Sequence, residues 1–373
     1  MYRPAQALCF SLVLLSATTL CAAAPHKAKH PAARPAPPQS KGQKQIAGGD
    51  GEFGTVYSLK DTFNFEVVSA RYTVEPIPAH ETRMAGTDKK LVVVDVAIKN
   101  AGASDNNFNS DAYVTLVDAQ GALYTNSVLD LVLASRDNSN DTLTLRPGQG
   151  VGQPERHNPM RFVLAVPAKA RIVKIMVNQG RLNSSEKVLR YFVAGATEAE
   201  AGKAGDPRNV IAPLPENVRD PSDPSGATAL DSGKGRAGVF LPSGGFALRL
   251  DGLSYTSDPI PERGPPAEGK KYALVTITVR NLTPTPQTML DVTGGDSSPC
   301  TLTDSDGETD KCVGFLKAKS NEAPEHDFKP GDEYAFRVVI PLATGAAAKT
   351  LTLGMGFSRT WTFPVTAALE GPG

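Results

Sequence analysis

The sequence predicts an all-β protein built as two tandem immunoglobulin-like antiparallel β-sandwiches. Three observations carry that expectation: an internal repeat, an apolar residue at every second position of its best-matched segment, and frequent Gly and Pro turn signals without a long helical period. The chain has 373 residues, a length suited to two ordinary domains. Hydrophobic residues make up 40%, enough for two cores, while 34 Gly and 30 Pro supply turns.

The repeat sets the strand expectations in order. Tyr72-Thr73-Val74-Glu75-Pro76-Ile77-Pro78 recurs as Tyr255-Thr256-Ser257-Asp258-Pro259-Ile260-Pro261. Lys89-Lys90 and the run 91–100 (LVVVDVAIKN) then match Lys270-Lys271 and 272–281 (YALVTITVRN) without a gap. Every second residue there is apolar: Val92, Val94, Val96 and Ile98, against Ala273, Val275, Ile277 and Val279. Period two predicts a strand with one face buried and one wet. Next, 115–121 (TLVDAQG) matches 301–307 (TLTDSDG), a strand entering a hairpin with Gly at the left-handed position. Leu145-Arg146-Pro147-Gly148 matches Phe328-Lys329-Pro330-Gly331, a Pro-Gly turn. Phe162–Pro167 is matched to Phe336–Pro341, and Tyr191-Phe192-Val193 to Trp361-Thr362-Phe363.

These landmarks place the two sandwiches at 50–197 and 237–367. Residues 198–236 hold five prolines among many Gly, Asp and Ser, and read as a linker. Such a stretch has little structure of its own or is docked on a domain, because long structureless loops are rare inside compact units.

The first 24 residues read as a secretory signal peptide: Arg3, a short apolar run from Leu8 to Leu15, and small residues at Ala22–Ala24 that suit cleavage after Ala23. Cys21 fits a lipid-anchor signal poorly, with Thr18 and Leu20 where a large apolar and a small residue belong. No later run is long and apolar enough to span a bilayer, so export to the periplasm or the cell exterior is expected. Residues 25–49 form a basic, Pro-rich arm; with Arg3 it takes six of the 39 bases, leaving 33 bases against 39 acids for 50–373. The arm reads as a solvated tether, or as a segment that touches an anionic surface.

Of four cysteines, Cys9 and Cys21 fall in the signal. Cys300 and Cys312 remain, and an even pair in an oxidising compartment is expected as a disulfide. The sharpest polar cluster is Asp304, Asp306, Glu308 and Asp310 around Gly307. Alternating carboxylates at a Gly turn resemble the start of a calcium loop, but Asp and Gly also dominate plain hairpin turns. The plain hairpin is the preferred reading; Ca²⁺ is the one cofactor these residues would suit. His26 would be third after cleavage, yet Pro25 at position two has no N–H, which excludes an amine-terminal Cu²⁺ site. His80, His157 and His326 have no ligand spacing. Ser184-Ser185-Glu186-Lys187 contains Ser-x-x-Lys without the companion motifs of penicillin-binding enzymes. Aromatic residues are 6% and scattered, so no stacking platform for nucleic acid is visible.

The order of Lys-Lys, an alternating Val strand, Lys/Arg-Asn, Leu-x-Asp-x-x-Gly, Pro-Gly and Phe-x-x-x-Val/Ile-Pro resembles a domain-of-unknown-function family of exported bacterial proteins. That family has a telokin-like immunoglobulin fold, related to the mycobacterial immunoprotective extracellular protein. The resemblance spans both repeats and implies a secreted sandwich without established enzymatic activity. It brings no catalytic residues to these positions. The expected function is therefore a non-enzymatic binding or structural protein of the cell envelope, with an envelope or extracellular protein or glycan as partner. The alternative is a calcium- or carbohydrate-dependent adhesin acting through the 304–310 hairpin.

Overall fold

The computed structural model describes residues 49–59, 63–78, 83–109, 113–127, 131–133, 142–152, 160–178, 188–231, 233–261, 263–293, 300–355, 359–366 and 369. The expected signal peptide, residues 25–48 of the arm, His80, His157 and residues 184–187 lie outside them.

The first half runs through β1 (Tyr57–Leu59), β2 (Phe63–Thr73), β3 (Lys89–Asn100), β4 (Asn106–Asn109), β5 (Val114–Asp118), β6 (Leu123–Thr125), β7 (Leu131–Leu133), β8 (Thr142–Leu145), β9 (Gly150–Val151), β10 (Met160–Pro167), β11 (Ile172–Asn178) and β12 (Val188–Phe192). A short helix α1 (Glu198–Ala201) and β13 (Ile211–Ala212) follow. The second half holds β14 (Leu241–Ser243), β15 (Phe246–Thr256), β16 (Lys270–Asn281), β17 (Gln287–Thr288), α2 (Met289–Thr293), β18 (Cys300–Asp304), β19 (Thr309–Lys311), β20 (Gly314–Lys317), β21 (Asp327–Phe328), β22 (Glu333–Ala343), β23 (Ala348–Gly354) and β24 (Thr360–Pro364).

The protein is an all-β sandwich, and one strand order occurs twice. The first half stacks the sheet β1-β2-β3-β10-β7 on the sheet β12-β11-β5-β6, with a β4-β8 ribbon. The second stacks β14-β15-β16-β22-β20 on β24-β23-β18-β19, with a β17-β21 ribbon. Even a register shift recurs, between Val67 and Ser69 in β2 and between Leu250 and Gly252 in β15. Inward residues of both sheets, such as Val94, Phe162 and Ile175, or Val275, Val338 and Leu351, have at most 1% exposure. Each such side chain contributes about 1.5–3 kcal/mol relative to an exposed one.

Two sequence matches are corrected by the register. Val96 and Ile277 are equivalent, yet they pair with Met160 and Phe336. Phe162 therefore matches Val338, two residues from the expected Phe336. Tyr191 likewise matches Phe363, not Trp361, through their partners Ile175 and Leu351. A slip of two leaves an alternating pattern unchanged, so only hydrogen-bond register reveals it.

The wet outer face expected for the central strand is also corrected. In β16, Tyr272 and Leu274 are buried with Val339, Leu316 and Ile260, the isoleucine of the Tyr-Thr-x-x-Pro-Ile-Pro motif. In β3, Leu91 and Val93 are buried as well, and so is Ile77. The motif thus folds a loop over the outer face of its sheet.

The Asn closing each central strand locks the same loop twice. Asn100 Nδ2 donates to the Ser104 and Leu145 carbonyls while its Oδ1 accepts from Gly102 N. Asn281 Nδ2 donates to the Thr285 and Phe328 carbonyls while its Oδ1 accepts from Thr283 N. The Pro-Gly turns then return a backbone bond to the same residues: Gly148 N to Asn100 O and Gly331 N to Asn281 O, both 2.9 Å.

The described residues of 198–236 are docked. Leu214, Val218, Ala227, Ala229 and Leu230 are buried at 1–2% exposure. β13 pairs with β2 in parallel, and Ala229 N donates to Ala168 O at 2.9 Å. Asn209, fully buried, donates to the Gly51 and Phe192 carbonyls and accepts from Phe53 N. Proline and glycine here shape a chain whose backbone groups find partners in the sandwich. The second half is fastened to the first through Arg359, which has 2% exposure. Its guanidinium donates to Lys89 O at 3.1 Å and to Leu230 O, and it lies 4.7 Å from the Trp361 ring.

Candidate functional site

The acidic hairpin of the second half spends two of its four carboxylates on structure. Asp304, 2% exposed, turns inward, and its Oδ1 accepts the backbone N–H of Asp306 and of Glu308, both at 2.9 Å. Asp118 does the same in the first half, accepting from Gln120 N and Ala122 N. Gly121 and Gly307 follow with φ of +83° and +86°, a conformation that glycine adopts without strain. Asp304 is thus the repeat's own hairpin lock. Asp310 faces Lys270, whose Nζ is 3.0 Å from both carboxylate oxygens. Asp306 and Glu308 are exposed. Among the described residues no three His, Cys, Asp or Glu side chains gather around a common point.

Cys300 and Cys312 face each other across the β18-β19 pair. Cys312 N donates to Cys300 O at 3.0 Å, and the next pair in register is Thr301–Lys311. Directly opposed hydrogen-bonded residues have Cα atoms about 5.5 Å apart, within the span of a disulfide. Both side chains stand as thiols, in hydrogen-bond contact. That contact and burial push the Cys300 thiol up. The same contact brings Cys312 down, with a smaller contribution from the charge of Arg263.

Arg263 also walls a groove of about 620 Å³ on the second half. Pro261, Met289, Leu290, Phe315 and Pro324 line it. Leu290, on α2, is 69% exposed, the largest exposure of any large hydrophobic side chain described. The Ile260 loop brings Pro261 and Arg263, and Phe315 comes from the edge strand β20. Glu322 lines it too, so a guanidinium and a carboxylate stand beside apolar walls, a lining that suits a mostly apolar ligand carrying polar groups.

A third polar feature lies under residues 211–230. Lys90, with no exposed surface, donates to the carbonyls of Ala168 (3.1 Å), Ala170 (2.6 Å) and Ala227, and its Nζ sits 4.5 Å from the Tyr72 ring centroid. Burial lowers its ammonium to about 7, opposed by the charge of Asp223. Burial also raises Tyr72 to about 12, although Ile172 N–H donates to its oxygen at 2.9 Å.

His326 stacks on Tyr334 at 4.3 Å and meets Phe328 edge-on, which places it in an aromatic cluster. Trp361 is buried and donates to Pro242 O at 2.8 Å. Sequence reasoning did not find the groove or the roles of Lys90 and Arg359. The only signal was the paired lysines that mark both repeats; the exposure of Leu290 has no sequence signature.

No family profile and no curated protein matches the chain. Among solved structures, it is similar to an uncharacterized β-sandwich protein of Clostridium difficile, at 11% identity over 35% of this chain and 92% of that one, with TM-score 0.27. It is also similar to a Bacillus subtilis chain described as a candidate lipoprotein, at 13% identity over 35% of this chain and 38% of that one, with TM-score 0.25.

Proposed function

We propose that this chain is an exported, non-enzymatic binding or structural protein of the cell envelope, related to the telokin-like sandwich family that its repeats resemble. The observation that carries the reading is the groove beside Arg263, with Leu290 held out in solvent at its wall. An apolar side chain so exposed on a rigid sandwich supports recognition of a partner. The buried polar groups support the same reading, because Asn100, Asn281, Asp118, Asp304, Lys90 and Arg359 are all engaged in holding loops and halves together.

The test is a pull-down from the envelope fraction of the source cells, with immobilised wild-type protein and Leu290→Asp compared at matched loading. A protein or glycan retained by the wild type and lost from the variant is expected. Equal recovery on both, or nothing retained above empty resin, overturns the reading.

A further inference from the structure

Where the docked segment hands over to the second half, four charged side chains border one pocket. It measures about 240 Å³ and is lined by Glu216, Arg219, Asp223 and Arg236 with Pro221 and Pro224. Residues 216–224 belong to the segment docked on the first half, and Arg236 to the entry into β14. Asn217 Nδ2 ties these stretches together by donating to Phe240 O at 2.8 Å. Ligand sites favour such junctions between packed units.

The backbone that carries these groups is fixed. Arg219 N donates to Pro215 O at 3.1 Å, and Arg219 forms an antiparallel bridge with Ala229. Asp220 and Asp223 each accept from the backbone two residues on, Ser222 N and Ser225 N, both at 2.9 Å, which closes each Asp-Pro-Ser step as a turn. The charged groups are not spent on each other: among the described residues no ion pair joins any two of them. Arg219 is half-buried, Glu216 and Arg236 are exposed, and none of the three has a side-chain hydrogen bond to a described residue. Asp223 Oδ1 takes Ser225 N and the Ser225 hydroxyl, while Oδ2 takes Thr228 N alone and has room for one more donor. Burial raises the Asp223 carboxyl, but these bonds outweigh burial and bring it to about 2, so it stays charged. Two guanidiniums and two carboxylates thus border one space without neutralising one another. A ligand with a single charge meets one pair well and the other badly, whereas a ligand with one charge of each sign meets both.

We propose that this pocket binds a free α-amino acid, its carboxylate taken by Arg219 and Arg236 and its ammonium by Glu216 and Asp223. A guanidinium presents a planar fork of donors that matches a carboxylate, and two forks serve both of its oxygens. The three N–H donors of an ammonium need acceptors, which the two protein carboxylates supply. Pro221 and Pro224 give the pocket an apolar wall, so an apolar side chain is expected on the ligand. The site shares no residue with the groove beside Arg263. It adds a small-molecule site to a module read as binding macromolecules, and does not depend on that reading.

The probes are leucine, N-acetylleucine and leucinamide, each titrated into the full chain by isothermal titration calorimetry. Saturable binding of leucine is expected. N-acetylleucine lacks the ammonium and leucinamide the carboxylate, so each should bind at least about tenfold more weakly, the loss of one charge-assisted hydrogen bond. Arg219→Gln and Arg236→Gln should each weaken leucine by a similar factor. Glu216→Gln should weaken leucine and leave N-acetylleucine unchanged, a difference that a general loosening of the loop would not produce. Melting curves of each variant show that the fold is intact. No saturation at millimolar leucine overturns the proposal. So does N-acetylleucine binding as tightly as leucine, which is the result for a plain anion site. Leu290→Asp should bind leucine as the wild type does, so failure here is distinguishable from failure of the groove.

Discussion

Replacing Arg359 by Leu tests whether one side chain couples the two halves. The guanidinium donates to Lys89 O in the first half and to Leu230 O in the connecting segment, and stacks on Trp361. Hydrogen bonds from a charged donor contribute about 1.5–3 kcal/mol each. The ring contact adds roughly 1–2 kcal/mol where solvent is excluded. Against these stands the cost of burying the charge, increased because Nε has no partner. Leucine removes that cost but takes the donor from the buried Leu230 carbonyl and from the part-buried Lys89 carbonyl. The balance is a loss of about 3 kcal/mol, at the upper end of what single substitutions do. Urea unfolding at neutral pH reads it, followed both by fluorescence of Trp361, the only Trp in the chain, and by far-UV circular dichroism. Trp361 reports the second half and dichroism reports both. In the wild type the two transitions should coincide; in Arg359→Leu the fluorescence transition should move to lower urea and separate. A loss below about 1 kcal/mol with coincident transitions would refute the reasoning.

Asn100→Ala and Asn281→Ala should each cost about 2–4 kcal/mol in chemical denaturation, because each removes a buried amide together with its donor to a buried carbonyl, that of Leu145 or Phe328; a cost at only one site would break the equivalence of the two loops. For Lys90, the unfolded chain keeps its proton to about 10.5 while the folded one releases it near 7. Between these values the unfolded state binds more protons, so stability rises with pH, by about 1.4 kcal/mol per unit. Wild type should therefore gain on Lys90→Met by about 2–3 kcal/mol from pH 7 to pH 9 in urea midpoints; a flat difference contradicts it. In the exported protein Cys300 and Cys312 should form a disulfide, seen as a two-proton mass difference with and without reductant; two free thiols refute it.

How far the sequence could be read depends on the kind of interaction. The alternation in 91–100 and 272–281 was legible because burial on a sheet face imposes period two on the chain itself. The Gly and Pro-Gly turns were legible because positive φ and fixed φ restrict residue choice. The two-residue shift of Phe162 against Phe336 was not, since period two cannot distinguish registers that differ by two. Asp304 stood out as an acidic cluster, whereas its role is local: it binds two amides of its own turn, as Asp118 does. The alignment of those two residues was the available hint.

The sequence by itself determined the β class, the repeat and the order of its turns, because these follow from local rules of burial period and backbone freedom. Only the tertiary structure decided that residues 198–230 are packed into the first sandwich, that Arg359 fastens the halves, and that Lys90 is sealed under that segment. Each of these is a contact between residues far apart in the chain. Such a contact leaves no periodic trace in the sequence, since it needs one matching partner in space and not a repeated one along the strand.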